Sequence, residues 1–178
     1  SNWQSLAKQV SSVKDVKGAA PYVSGQGMLE KDGLVRPIMV TGILPEQEKQ
    51  VSAVGKKMVS GSLSALKSGQ FNMVMGQALS NSLGLLKGDQ VNLFVPQVSV
   101  TPIGVIPRAR RFTLGGVFDV GNGFGFHSSF AFMNLQDAQH LFGLHQQVSG
   151  LQLKVANLFE APIVAAQLQK QLGARYQV

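Results

Sequence analysis

The chain has 178 residues, enough for one sizeable core or two small subdomains sharing one; its 44% hydrophobic and 14% charged content marks a folded protein with few charges for a surface left wholly to water. Sixteen basic against nine acidic residues give +7, a balance that suits an acidic protein, an anionic membrane surface or nucleic acid equally well. The absence of cysteine excludes disulfides and Cys-based zinc sites, no run approaches the length of a membrane-spanning helix, and Ser1-Asn-Trp-Gln4 lacks the marks of a signal peptide, so the sequence reads as soluble or as the extramembrane part of a longer membrane protein.

Trp3, Leu6, Val10 and Val13 recur at helical spacing behind Asn2, which predicts a capped helix over 2–13. Residues 17–29 and 34–44 read as two strands, with Lys31-Asp-Gly33 between them as a hairpin turn. Pro45-Glu-Gln-Glu48 opens a short helical turn, with proline early and acids at the positive end of the dipole. The Ser-, Gly- and Lys-rich stretch 51–70 reads as a loop or frayed helix joining two subdomains.

A strand is expected at 71–75, followed by a helix over 77–86 with Leu79, Leu83 and Leu86 on one face and Lys87-Gly-Asp89 as its cap. Val91 to Val95 is a strand that Pro96 ends, and a second strand runs from Arg110 to Val120, so the two form a hairpin with an oversized tip. Asp119 to Gly125 is a glycine-rich bend rather than a phosphate loop, since it lacks the Gly-Lys-Ser/Thr ending and a following helix. Strands at 126–133 and 148–155, helices at 135–143 (capped by Asn134) and 158–172, and a last strand or exit linker at 175–178 complete the chain. Such mixing without strict alternation predicts an α+β fold.

The tip of that hairpin is the most unusual segment. Thr101-Pro-Ile-Gly-Val-Ile-Pro107 sets three large aliphatic residues between two prolines, and Arg108, Arg110 and Arg111 follow directly. Proline fixes φ and removes a donor, so the segment reads as a stiff apolar arm outside the middle of any sheet, with a basic base. Folding of Ile103, Val105 and Ile106 back onto the core is the plainer alternative.

Catalytic patterns are missing. His127, His140 and His145 have no metal-ligand spacing and read as surface or half-buried residues; the carboxylates are scattered, and no nucleophile elbow occurs. No catalytic residue, metal or cofactor is expected. The arginines have only Phe112 as a nearby aromatic, which argues against nucleic acid as partner.

Gly18 to Val23, Val40 to Glu48, Met75 to Leu79 with Gly84 to Asp89, Thr101 to Phe112 and Phe132 to Gln139 together resemble, in order and spacing, the large periplasmic domain of the lipoprotein-releasing ABC transporter permeases, the Lol family of the wider MacB-like group. The resemblance covers most of the chain. It implies a discontinuous Porter-like α/β subdomain (1–69 and 113–178) and an inserted β-rich Sabre-like subdomain (70–112) that carries a projecting β-hairpin loop, the Hook, at 97–109. In that family the Hook and a nearby basic Pad bind a periplasmic lipoprotein carrier (LolA-like). Thr101, Pro102, Ile103, Gly104, Val105, Ile106 and Pro107 resemble the Hook, with Pro102 at the position of its characteristic proline.

Arg110 matches a Pad arginine, whereas Ala109 stands where the family has a polar residue, which assigns further Pad contacts to Arg108 and Arg111. The implied protein is a non-enzymatic permease domain at the periplasmic face of the bacterial inner membrane. Its partners would be the carrier, a cytoplasmic ATPase subunit and a second permease copy. Val148 to Lys154 with Leu158-Phe159 resembles the Hook-less partner subunit, so one chain carries features of both; this implies a hybrid permease forming a homodimer in place of a heterodimer. The alternative is a mechanotransmitting domain of a MacB-like efflux or cell-division-type transporter that binds another partner.

Overall fold

The computed structural model describes residues 2–48, 54–121 and 129–178. Helix α1 (Trp3–Ser11) leads into β1 (Val16–Lys31) and β2 (Leu34–Ile43), then α2 (Pro45–Glu48), β3 (Met58–Gly61) and β4 (Asn72–Gly76). Helix α3 (Gln77–Ser82), β5 (Gln90–Thr101), β6 (Gly104–Phe118), β7 (Phe130–Asn134), α4 (Leu135–Leu141), β8 (Gly150–Val155) and α5 (Ala161–Leu172) follow. The α+β class is as expected.

All eight strands belong to one sheet, ordered β2-β7-β4-β6-β5-β1-β8 with β3 on β6. Strand β1 also pairs with β2 from Tyr22↔Ile43 to Lys31↔Leu34, so the pairings β1-β2-β7-β4-β6-β5-β1 form a ring. Strand β4 is a member of that ring, parallel to β6 and antiparallel to β7. It is buried on both faces: Met73 and Met75 enter the main core with Leu93, Phe112 and Met133, while Val74 enters a second core with Phe118, Leu63 and Leu66. A short continuous apolar run is what such a strand requires. A third core joins Val10 of α1 to Val164 and Leu168 of α5 and Val16 of β1.

Local signals account for most element ends. The Asn2 and Asn134 side chains accept from the backbone N–H of Gln4 at 3.0 Å and Gln136 at 2.8 Å, capping α1 and α4. In the β1–β2 turn Asp32 and Gly33 both take positive φ, the two-residue hairpin geometry. Glu30 accepts from the Asn92 amide at 2.9 Å and from Gly33 N–H at 3.0 Å, and these bonds, the first above all, hold its carboxyl below its ordinary value.

Several boundaries differ from expectation. The predicted helix 77–86 stops at Ser82 because Gly84, at φ 63°, reverses the chain. Gly84 N–H then bonds to Asn81 O at 3.1 Å and Leu85 N–H to Ser80 O at 2.9 Å, a Schellman closure. Leu85 is buried as a result and Leu86 points to solvent, since helical spacing does not carry through the turn. Lys87-Gly-Asp89 forms a separate turn into β5, with Asp89 accepting from Leu86 N–H at 2.8 Å.

The stretch 51–70 contains β3 and 3-10 turns at Val54–Lys57 and Leu63–Ala65, with 51–53 outside the described residues. Strand β7 starts at Phe130, and most of the bend 119–125 and the start of the predicted strand 126–133 also lie outside. Helix α5 starts at Ala161 behind a 3-10 turn at Leu158–Glu160. No strand forms at 175–178: the tail folds back on Gln169, whose amide donates to Tyr176 O and accepts from Val178 N–H.

Candidate docking site

Strand β5 does not end at Pro96. The strand passes Pro96 through a bulge between Val95 and Val98, and the ladder resumes at Val98↔Pro107 and continues to Thr101↔Gly104. The arm is therefore a two-stranded ribbon closed by a two-residue tip, Pro102-Ile103, in place of a long loop. Proline supplies the φ needed at the first tip position, Gly104 takes φ 127° after it, and Thr101 Oγ1 donates to Gly104 O at 2.8 Å.

From Val98 to Pro107 the two strands pair with each other alone among the described pairings: β1 meets β5 only at Asn92–Phe94, and β4 meets β6 only from Thr113 onward. At the tip Pro102 and Gly104 are exposed, and Ile103 keeps 89% of its surface open to solvent. Pro107 is exposed as well, and the side chains of Val105 and Ile106 lie outside what is described. At Ile103 the apolar surface does not fold back onto the core.

Strand alternation sorts the arginines. Arg108 and Arg110 share the face of Phe112 and Leu114, pairing with the buried Val95 and Leu93, whereas Arg111 projects from the opposite face across from Asn92. Where the core ends, that inner face turns basic.

Arg108 donates to Leu141 O at 2.8 Å, which ties it to the end of α4. The Arg110 guanidinium lies 3.7 Å from the centre of the Phe71 ring, a cation–π stack. The two arginines line a cleft of about 600 Å³ between β6 and α4, whose far wall carries His140 and His145.

Phe71, expected only as the start of a strand, is the platform beneath this face. Its ring meets Phe112 edge-on at 5.7 Å and His140 at 6.3 Å. Its backbone sits at φ 51°, held there by the buried Asp137 carboxylate, which accepts from Phe71 N–H at 3.1 Å and from Gly69 N–H at 2.7 Å. Asp137 and His140 lie three residues apart on α4, and only the fold brings them together with residues 71 and 110. His140 and His145 are exposed, as expected, and His127 lies outside the described residues. Among the described residues no group of His, Asp or Glu has a metal-binding arrangement, and no helix is long and apolar enough to cross a membrane.

The fold is shared with two solved domains. It superposes on the periplasmic region of MacB from Actinobacillus actinomycetemcomitans with a TM-score of 0.60 at 14% identity, covering 94% of this chain and 73% of the other. It matches the extracellular domain of the noncanonical ABC-type transporter YknZ from Gram-positive bacteria equally well, with a TM-score of 0.60 at 12% identity and coverage of 94% and 82%.

The chain belongs to the MacB-like periplasmic core domain family, which matches residues 2–172. In sequence it is similar to the lipoprotein-releasing system transmembrane protein LolC of Neisseria meningitidis serogroup B, 36% identical over 94% of this chain, and to LolC of Xylella fastidiosa strain Temecula1, 34% identical over 99%. It spans about two-fifths of those relatives, 40% and 42% of their lengths.

Proposed function

We propose that this chain is the periplasmic domain of an inner-membrane ABC transporter permease. In this reading it recruits a periplasmic lipoprotein carrier through Thr101 to Pro107, with Arg108, Arg110 and Arg111 as the basic Pad, so that lipoproteins released from the inner membrane are handed over. ATP hydrolysis falls to a separate cytoplasmic subunit, and a second permease copy completes the transporter. Segment 70–112 acts as the carrier-facing insertion and 1–69 with 113–178 as the base.

The observation that carries this reading is Ile103, 89% exposed at the end of a ribbon that, among the described pairings, pairs with no other strand and that starts beside two arginines. A large aliphatic side chain so exposed fits a receiving apolar cavity, and relatives named for lipoprotein release supply the system. Magnitudes fit a transient hand-over. Burying Ile103 and its two aliphatic neighbours yields roughly 1.5–3 kcal/mol each, against about 4–15 kcal/mol of freedom lost on association. The arm alone binds weakly, and a ribbon stiffened beforehand with charges at its base makes up part of the difference. A carrier that must leave with its cargo requires this.

Ile103→Asp or Pro102→Gly is expected to weaken carrier binding by tenfold or more in calorimetric titration, with an unchanged circular dichroism spectrum. Equal carrier affinity in the parent and both variants would refute the proposal.

A further inference from the structure

The geometry points to a second ligand site, on the face of the sheet away from Arg108 and Arg110: an apolar groove at the root of the arm that holds one acyl chain of the lipoprotein in transit. The inference rests on the lipoprotein-release reading proposed above and extends it from the carrier to the cargo. The groove originates in a parting of strands. Among the described pairings β1 and β5 stay together up to Met28↔Phe94; beyond it β5 bulges at Pro96 and leaves for the arm, while β1 stays with β2 through Gln26↔Met39. The space between them has a volume of about 660 Å³, within the roughly 300–1,000 Å³ of small-ligand sites.

Its walls are apolar. Side chains alternate across a strand, so Met28 of β1, Pro37 and Met39 of β2 and Phe94 of β5 share the outer face, over the buried Ile38 and Val95. Met28 is 45% and Phe94 40% exposed. Val35, 43% exposed and two residues before Pro37, continues the strip, which then runs roughly 13 Å along β2. Among the described residues no charged side chain lines the groove, and Gln26 and Ser129 are its polar members.

Shape and chemistry select the occupant. An elongated, uncharged strip suits an aliphatic chain, and two unbranched methionine side chains adapt to one without a fixed shape. A second copy of the protein would need about 20–30 residues a side for a stable interface, far more than this strip provides. The relatives named for lipoprotein release supply a lipid-modified protein as cargo, and Gln26 and Ser129 offer amide and hydroxyl groups to the peptide bonds next to its acyl chain. Because Pro96 belongs both to the groove and to the start of the arm, a chain held here lies beside the element read as entering the carrier.

The test is an NMR titration of the protein, labelled at its methionine methyl groups, with an amidated tri-serine peptide carrying an N-dodecanoyl group and held below its micelle concentration. The bare peptide and lauroyl lysophosphatidylcholine are the comparisons. Expected are shifts of the Met28 and Met39 methyls with the acylated peptide and none with the bare one, while the core methyls of Met73, Met75 and Met133 stay in place. Affinity should fall about tenfold for every two carbons removed from the chain, and about tenfold in Met28→Gln or Phe94→Gln, whose unmoved core methyls report an intact fold. Silence of the Met28 and Met39 signals, or affinity that ignores chain length, overturns the inference. Lysophospholipid binding as tight as that of the acylated peptide assigns the groove to bilayer lipid, and shifts that grow with protein concentration alone assign it to a second copy; either result overturns the inference. Carrier affinity that falls in Met28→Gln makes the groove part of the carrier's footprint and overturns it too, leaving the arm reading intact. Acyl-peptide binding alongside carrier affinity that Ile103→Asp leaves unchanged overturns the arm reading and leaves the groove standing.

Discussion

Asp137 shows how one buried side chain fixes a distant surface. It is 2% exposed, and its two oxygens take the amides of Gly69 and Phe71. A non-glycine residue in the left-handed region costs roughly 1–2 kcal/mol, so Phe71 stays there only while this bond and its ring contacts outweigh the strain. Asp137→Ala removes both acceptors, and an unsatisfied buried amide costs about 1–3 kcal/mol. Its stability in urea is expected to fall by about 2–4 kcal/mol, with Asp137→Asn, which keeps one carbonyl acceptor, falling by about half as much. A urea midpoint unchanged in both variants would show that the 69–71 turn is held by other means.

At the scale of elements, α4 is seated by a glycine. A Cβ on Gly42 of β2 would run into Ala138 of α4, so helix and strand approach more closely than two side chains allow. Gly42→Val should push α4 outward at a cost of about 1–3 kcal/mol and lower the thermal midpoint, whereas Gly33→Ala, with open space around it, should leave α4 in its seat; heteronuclear spectra of the α4 amides distinguish the two.

Much of this level is legible in sequence, because caps, tight turns and strand alternation are local. Asn2, Asn134 and Asp32-Gly33 do what their neighbours imply. The extension of β5 through Pro96 is not legible, since the bulge that accommodates it exists only against β6. Nor is the end of α3, where Gly84 and Lys87-Gly-Asp89 offer two stop signals and the buried Leu85 selects the earlier one. The arm's tip stands out because prolines and aliphatic residues in one connection are unusual. The cleft beside it does not, because Phe71, Arg110 and the α4 pair Asp137 and His140 come from three separate segments.

On the scale of the molecule, three cores are tied to one sheet whose pairings return on themselves, with β1 long enough to meet β2, β5 and β8 in turn. The arm is the part of β5 and β6 that runs beyond the other strands of this sheet. Beyond Val95 its strands have no outer neighbours among the described pairings, so each presents an unpaired edge of the kind that templates another chain. Pro96 interrupts one edge and Pro107 the other, each removing an amide donor. A guest strand therefore meets a missing donor on either side, which favours a partner that recognises the arm's side chains over one that extends its ladder. Replacing both prolines by threonine should make sedimentation strongly concentration-dependent relative to the parent, and matching sedimentation profiles would sink the idea. The prolines that stiffen the arm also keep it from becoming a seed for aggregation.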